Sequence, residues 1–269
     1  MKLTLAYSPC PNDTFIFDAM IHHKVDTEGL EFEVQLSDVE ALNVMAFDCK
    51  VDVTKLSYSA FLHLHKKYAL LSSGSALGEK CGPILIAKQD MIKSFNAQSL
   101  VAIPGKYTTA NSLFSLAFPN NSNTKEMLFS EIEDAVLKGD VDAGVIIHEN
   151  RFTFQEKGLE KFMDLGEYWQ EQTQLPIPLG GIVVSKSLDS LVQKKIQRVL
   201  RRSIEFAFKF PKESHDYVKQ HAQEMDIDVM NSHIQLYVND YSIELGNMGR
   251  KAIYYLFDCN KISKNDLEI

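Results

Sequence analysis

The sequence predicts an α/β fold built as two lobes around a cleft. Three observations carry that expectation. Short apolar runs alternate with segments of helical period through most of the 269 residues, the pattern of strand–helix–strand units and largely parallel sheets. Two glycine-flanked apolar strands, residues 82–88 and 179–186, read as crossovers between lobes. The last third turns helical, and no repeat, low-complexity tract or flexible linker interrupts the chain. The first lobe is then discontinuous, residues 1–87 and 183–269 with the terminal helices, and the second spans residues 88–182.

The elements follow in order. Strands are expected at residues 3–7, 30–36, 51–56, 69–71, 84–87, 100–103, 143–147 and 182–184. A helix starts near Asp13 and Thr14. Ser37-Asp38-Val39-Glu40 has the spacing of a capping box, and so does Ser130-Glu131-Ile132-Glu133. Further helices follow Ser57 and Thr108. Leu188, Leu191, Val192, Ile196, Val199, Leu200, Ile204 and Phe208 recur at steps of three and four, which makes one long amphipathic helix. Pro211 ends it, because proline cannot continue the backbone ladder. Helices around 213–221, 228–237 and 244–258 complete the chain; residues 228–258 suit core packing, with a dimer surface as the other role.

Composition removes several function classes. Lys+Arg number 28 and Asp+Glu 36, a formal charge of 28 − 36 = −8, which disfavours a phosphate-tracking nucleic-acid binder. Cys10, Cys49, Cys81 and Cys259 form no CxxC pair and read as reduced thiols. No His or Cys spacing suits a metal, so none is expected. No run approaches 18 apolar residues, and the N-terminus lacks a secretory stretch, so a cytoplasmic protein without a membrane partner is expected. Serine-hydrolase and dinucleotide-binding motifs are missing. The partner expected is a small molecule; monomer and dimer both stay open.

Ligands of open α/β sheets bind beyond the carboxyl ends of strands, so the residues that follow each strand are the candidates. Ser8-Pro9-Cys10-Pro11-Asn12-Asp13-Thr14 is a rigid turn. Asn12, Asp13 or Thr14 suits a cap, and the exposed N–H groups suit an anionic ligand. In Thr54-Lys55-Leu56-Ser57, Ser57 suits an N-cap and Lys55 is placed to reach a carboxylate. Pro104-Gly105-Lys106-Tyr107-Thr108-Thr109 reads as a carboxylate or carbonyl clamp at a helix start, or as an ordinary capped turn. His148 closes the apolar strand that begins at Ala143, where a histidine with an ordinary pKa of about 6.5 can act as general base; Glu149 or a backbone carbonyl would orient its ring. A satisfied structural histidine is the plain alternative. The other seven histidines, His233 of the terminal helices among them, are weaker candidates. Aromatic residues such as Phe15, Tyr58, Tyr107 and Trp169 read mostly as core, with some left to wall a pocket.

Several strings occur together and in register: Ser8 to Phe15, Thr54 to Tyr58, Pro104-Gly105 with Thr108-Thr109, Ile146-Ile147-His148-Glu149 with Arg151-Phe152-Thr153, and Leu175-Pro176-Ile177-Pro178-Leu179-Gly180. With them the chain resembles the 1,4-dihydroxy-6-naphthoate synthase family of the futalosine route to menaquinone, from about residue 3 to about residue 257. The resemblance implies a two-lobed fold like the type II periplasmic solute-binding proteins. It also implies a carbon–carbon lyase acting on cyclic dehypoxanthine futalosine, with no metal or organic cofactor. By the same resemblance His148 is the proton acceptor, and Lys55, Leu56, Ser57, Thr108 and Thr109 line the substrate site. Ser8 and Asn12 join them from the local reading of the first turn. Two rivals remain: a non-catalytic cytosolic binder of a small carboxylate on the same fold, and a chorismate dehydratase of the same pathway.

Overall fold

The computed structural model describes residues 1–79, 81–148, 150–222 and 226–260. Eleven strands are seen among them: β1 Lys2–Tyr7, β2 Glu31–Leu36, β3 Val53–Ser57, β4 Tyr68–Leu70, β5 Ala76–Gly78, β6 Ile84–Ala87, β7 Val101–Ile103, β8 Thr124–Glu126, β9 Ala143–Ile146, β10 Glu160–Asp164 and β11 Ile177–Ser185. The chain divides into two compact units. One holds Met1–Gly78 and the chain from Pro178 onward, the other Glu79–Ile177. These borders fall before the expected ones at 87 and 182. Hydrogen bonding explains the difference: β6 pairs with β9 and β10 of the second unit, while β11 pairs with β3 and β4 of the first.

The first unit carries a six-stranded sheet ordered β2-β1-β3-β11-β4, with β5 on β11. β1 runs parallel to β2 and β3, as strand–helix–strand crossovers require. β11 runs antiparallel to both β3 and β4. The sheets are therefore mixed rather than largely parallel, because β11 and β6 are not joined to these neighbours through a crossover helix. The core gathers Leu3, Leu5 and Tyr7 of β1, Phe15, Ile16, Phe17 and Met20 of the helix Pro11–Ile21, and Ile196, Val199, Leu200, Ile204 and Ala207 of the helix Ser190–Lys209. That long helix is the expected amphipathic one, yet Leu191 and Phe208 face solvent. Ser203 sits in its buried stripe, donating to the Ile16 carbonyl (2.6 Å) and accepting from the Met20 N–H (3.1 Å). A buried hydroxyl thus finds both partners on the facing helix.

The second unit carries a five-stranded sheet ordered β10-β6-β9-β7-β8. β9 is parallel to β7 and antiparallel to β6. Ile84, Ile86, Ala102, Ile132, Val136, Ile146, Phe154 and Leu159 form its core. β5, β8 and β10 were not anticipated. β5 and β8 have three residues each, and β8 is polar and exposed throughout, so neither shows the alternation that marks a strand.

The two capping boxes also form differently. Asp38, not Ser37, caps the helix Val39–Phe47, accepting from Glu40 and Ala41 N–H. The helix Ile132–Lys138 is entered through a 3₁₀ turn with no side-chain cap, and Glu133 turns inward.

Gly82 and Gly166 make a close backbone contact in this unit. A Cβ on Gly82 would lie 2.3 Å from Gly166 Cα and 2.4 Å from its nitrogen. Since those are backbone atoms, the clash is relieved only by moving the chain. Gly82→Ala is expected to lower stability by about 1–3 kcal/mol, the usual cost of overpacking. A urea midpoint unchanged from wild type would contradict this.

Candidate active site

In the first unit, chemistry collects where β1 and β3 end side by side. β1 and β3 are parallel, so Ser8 and Ser57 leave the same edge of the sheet. Lys55 and Ser57 lie two apart on β3 and so share a face. The organising group is Asp13, 2% exposed in the first turn of the helix Pro11–Ile21. Its carboxylate accepts from Ser8 Oγ (2.7 Å), the Ser8 N–H (3.3 Å), Asn12 Nδ2 (2.8 Å) and Lys55 Nζ (2.8 Å). The Lys55 side chain is 10% exposed. A buried carboxylate needs such a shell of donors, because desolvating a bare charge is costly.

Other groups finish this edge. Asn43, fully buried, clamps Ser57 twice. Its Oδ1 accepts the Ser57 N–H (3.0 Å), and its Nδ2 donates to Ser57 Oγ (3.3 Å). Asn12 Oδ1 meets His233 Nε2 at 2.9 Å. Beneath them the Tyr7 ring stacks on Phe17 and its hydroxyl meets that of Tyr217 at 2.7 Å. Burial first, then Tyr217 and the Asp13 and Asp18 carboxylates, hold the Tyr7 phenol far above its usual range.

In the second unit the candidate is His148, half-buried just beyond β9. Its backbone adopts φ 58°, the left-handed region that non-glycine residues enter at a cost. Its ring stands edge-on to Phe129, centroids 5.0 Å apart. The residues after it brace the turn. Asn150 Nδ2 donates to the buried carboxylate of Glu133, which also accepts from Lys157 Nζ (2.7 Å). Arg151 donates from Nη1 to the Gly82 carbonyl and from Nη2 to Asp164 Oδ2 (3.2 Å). Asp164 Oδ1 meanwhile caps the helix Leu165–Thr173 through the Gly166 and Glu167 N–H groups. Both carboxylates therefore hold the chain that follows His148, and Asp164 fixes a helix start as well.

The structure gathers Ser8, Asn12 and Lys55 around one carboxylate, and sets Ser57 on the same strand face as Lys55. Leu56 points the other way and is core, 1% exposed. Thr108 caps the helix Thr109–Ala117: its hydroxyl donates to Gly105 carbonyl (2.7 Å) and accepts from Asn111 N–H (3.2 Å). What that turn offers a ligand is chiefly the first N–H groups of its helix. Ser57 occupies an N-cap position but makes no cap bond, because Asn43 holds it instead. Cys10, not Asn12, Asp13 or Thr14, occupies the N-cap of the first helix. Glu149, the expected orienter of His148, lies outside the described residues.

Sequence reasoning missed Asp13 and Asn43 as organisers. The available signal for Asn43 was an amide inside the otherwise apolar run of the helix Val39–Phe47. A cavity of about 610 Å³ lies elsewhere in the first unit, among the terminal helices and lined by residues such as Phe15, Phe208 and Met230. None of the expected site residues lines it. Among the described residues no group of three or more His, Cys, Asp or Glu could hold a metal ion, and no helix is long and apolar enough to cross a membrane.

A family model described as menaquinone biosynthesis matches residues 3–261. The chain belongs to the menaquinone biosynthesis family. Two relatives carry the name 1,4-dihydroxy-6-naphtoate synthase. The Thermus thermophilus protein is 40% identical over 255 residues, 95% of this chain and 92% of that one. The Streptomyces coelicolor protein is 41% identical over 256 residues, 93% and 90% of the two chains. The resemblance carried by the five strings is thus borne out.

Among solved structures, protein AF1704 of Archaeoglobus fulgidus has a TM-score of 0.90 at 37% identity, covering 97% of both chains. A ligand-binding component of an ABC-type import system from Staphylococcus aureus (TM-score 0.73, 12% identity, 99% and 96% covered) shares the fold. So does a Candida albicans gene product described as having the generic periplasmic binding protein fold (0.67, 12%, 99% and 93%). This member of the menaquinone biosynthesis family therefore has the expected periplasmic-binding-protein-like α/β fold.

Removing the Asp13 carboxylate strands a buried ammonium. Asp13→Ala is expected to cost about 3–5 kcal/mol in urea unfolding, and Lys55→Met less, because Asp13 keeps its Ser8 and Asn12 donors. Equal losses would mean that the carboxylate does not depend on those donors. Burial pushes the Cys81 thiol up to about 12, while Cys49 is exposed. Since the thiolate is the reactive form, thiol labelling at pH 8 should modify Cys49 in the native protein and Cys81 only after unfolding.

Proposed function

We propose that this protein is a lyase converting cyclic dehypoxanthine futalosine to 1,4-dihydroxy-6-naphthoate in the cytoplasm, without metal or organic cofactor. Its base is His148, and Lys55, Leu56, Ser57, Thr108, Thr109, Ser8 and Asn12 bind the substrate, Leu56 through its backbone. The observation that carries the reading is the pair of relatives near 40% identity, both named for this product and spanning nine-tenths of the chain. The local chemistry supports it. His148 is half-buried at a strand's carboxyl end, held in a strained turn whose neighbours are locked by two buried carboxylates. A lone solute-binding site has no need of a base so placed.

The steps are proton transfers. The imidazole takes a proton from a sugar hydroxyl or an adjacent carbon. The electron pair released opens the strained ring, a sugar-derived fragment departs by carbon–carbon cleavage, and aromatisation supplies driving force. Lys55 offers charge to an anionic group of the substrate, since an ammonium has three N–H donors and Asp13 takes one. The first N–H groups of the helix Thr109–Ala117 offer a second anionic or carbonyl cradle.

Purified protein mixed with cyclic dehypoxanthine futalosine should generate the absorbance of the naphthoate product. His148→Ala should lower kcat by about 10²–10⁴-fold, the usual worth of a positioned base, with KM nearly unchanged. Equal turnover by variant and wild type would remove His148 from the mechanism. Thermal stabilisation by the substrate with no product from wild type would favour a binding protein instead.

A further inference from the structure

We propose that His233, on a helix nearly 180 residues along the chain from the strand it serves, is a positioning residue for Lys55. The inference deepens the reading above and rests on it, since it takes Lys55 to be a substrate contact.

The path is a chain of buried hydrogen bonds. His233 Nε2 lies 2.9 Å from Asn12 Oδ1, Asn12 Nδ2 lies 2.8 Å from Asp13 Oδ1, and Lys55 Nζ lies 2.8 Å from the same oxygen. His233 is 0% exposed, Asp13 2%, Asn12 8% and Lys55 8%. The chain has a direction that electrostatics fixes. Turning the Asn12 amide over would set its carbonyl oxygen 2.8 Å from a carboxylate oxygen, acceptor against acceptor. The amide nitrogen must therefore face Asp13, so the amide oxygen faces His233, and Nε2 must carry a proton to donate. Each donor fixes the next acceptor, and the last acceptor holds the Lys55 ammonium.

The residue types make sense only as a set. The buried stripe of the helix Ile227–Tyr237 is Met230, His233 and Tyr237, where an apolar side chain at the middle position would pack without needing a partner. Replacing a buried polar set with apolar groups is often neutral or stabilising. What this set provides instead is one rotamer for Asp13 and so one location for the ammonium. A long, flexible lysine stem has no such preference of its own.

Steady-state kinetics with cyclic dehypoxanthine futalosine tests this in five variants. Lys55→Met should raise KM. His233→Leu should raise KM about tenfold with kcat within about threefold, a fraction of what hydrogen bonds to charged groups are worth. His233→Gln, whose terminal N–H reaches the place of Nε2, should restore KM to within about twofold of wild type. In a double-mutant cycle, His233→Leu should add nothing in an Asn12→Leu background, because the chain is already cut.

A Lys55→Met variant with wild-type KM would sink the reading of the site itself. A raised KM in Lys55→Met beside a wild-type KM in His233→Leu would sink the present inference alone. So would equal losses in the Leu and Gln variants, the mark of a merely structural histidine. If His233→Leu does not fold, His233→Gln against the shorter His233→Asn decides. A higher KM for Asn supports the chain, and equal values overturn it.

Discussion

A carboxylate taken out of water must be met by donors on every side, and much of the first unit is arranged around meeting that demand for Asp13. Its four donors come from the end of β1, from the first turn of a helix and from the central strand β3. The demand then propagates. Lys55 is itself buried and needs its acceptor, and Asn12 has a second polar end that needs His233. The pair is therefore weak as a source of stability and strong as a constraint on geometry. Nothing in it can rotate alone without leaving a charge or an amide unmatched.

The second unit solves a related problem with different parts. A histidine in the left-handed backbone region sits in a shallow local minimum, so the chain beyond it has to be held. Glu133 and Asp164 do this from two helix starts, one through Asn150 and one through Arg151. Arg151 adds the Gly82 carbonyl, beside the point where the backbones of Gly82 and Gly166 touch. In both units, then, buried charge holds the candidate residues or the chain beside them, and the apolar core only sets the frame.

The alternation of strands and helices was legible because burial writes it directly into hydropathy. β1, β6, β9 and the long helix Ser190–Lys209 all lie within a residue or two of their expected ends. β5 and β8 were not, since strands of three residues leave no period to read. The borders of the units escaped for a different reason: an apolar run between glycines says that a strand exists, not which sheet receives it. At the candidate site, loop positions named Ser8, Asn12 and Lys55, which the structure gathers around Asp13. Roles were harder. Asp13 read as a helix cap, yet its carboxylate is drawn to Lys55, a partner 42 residues on that no local pattern reveals. His233 read as a minor histidine for the same cause, its partner lying 221 residues away. Long-range polar pairing is set by the fold and leaves no spacing in the chain.

The placement of β11 carries a consequence for how the protein is made. β11 fills the gap between β3 and β4, but it emerges from the ribosome about a hundred residues after Gly78, a delay on the order of 5–20 s at ordinary elongation rates. Through that interval the Val53–Ser57 strand presents an open edge, a template for pairing with other nascent chains. The unit spanning Glu79–Ile177 is contiguous and can complete its own sheet meanwhile. The order of synthesis therefore favours the inserted unit folding first, with the unit that encloses it in sequence waiting for its last central strand.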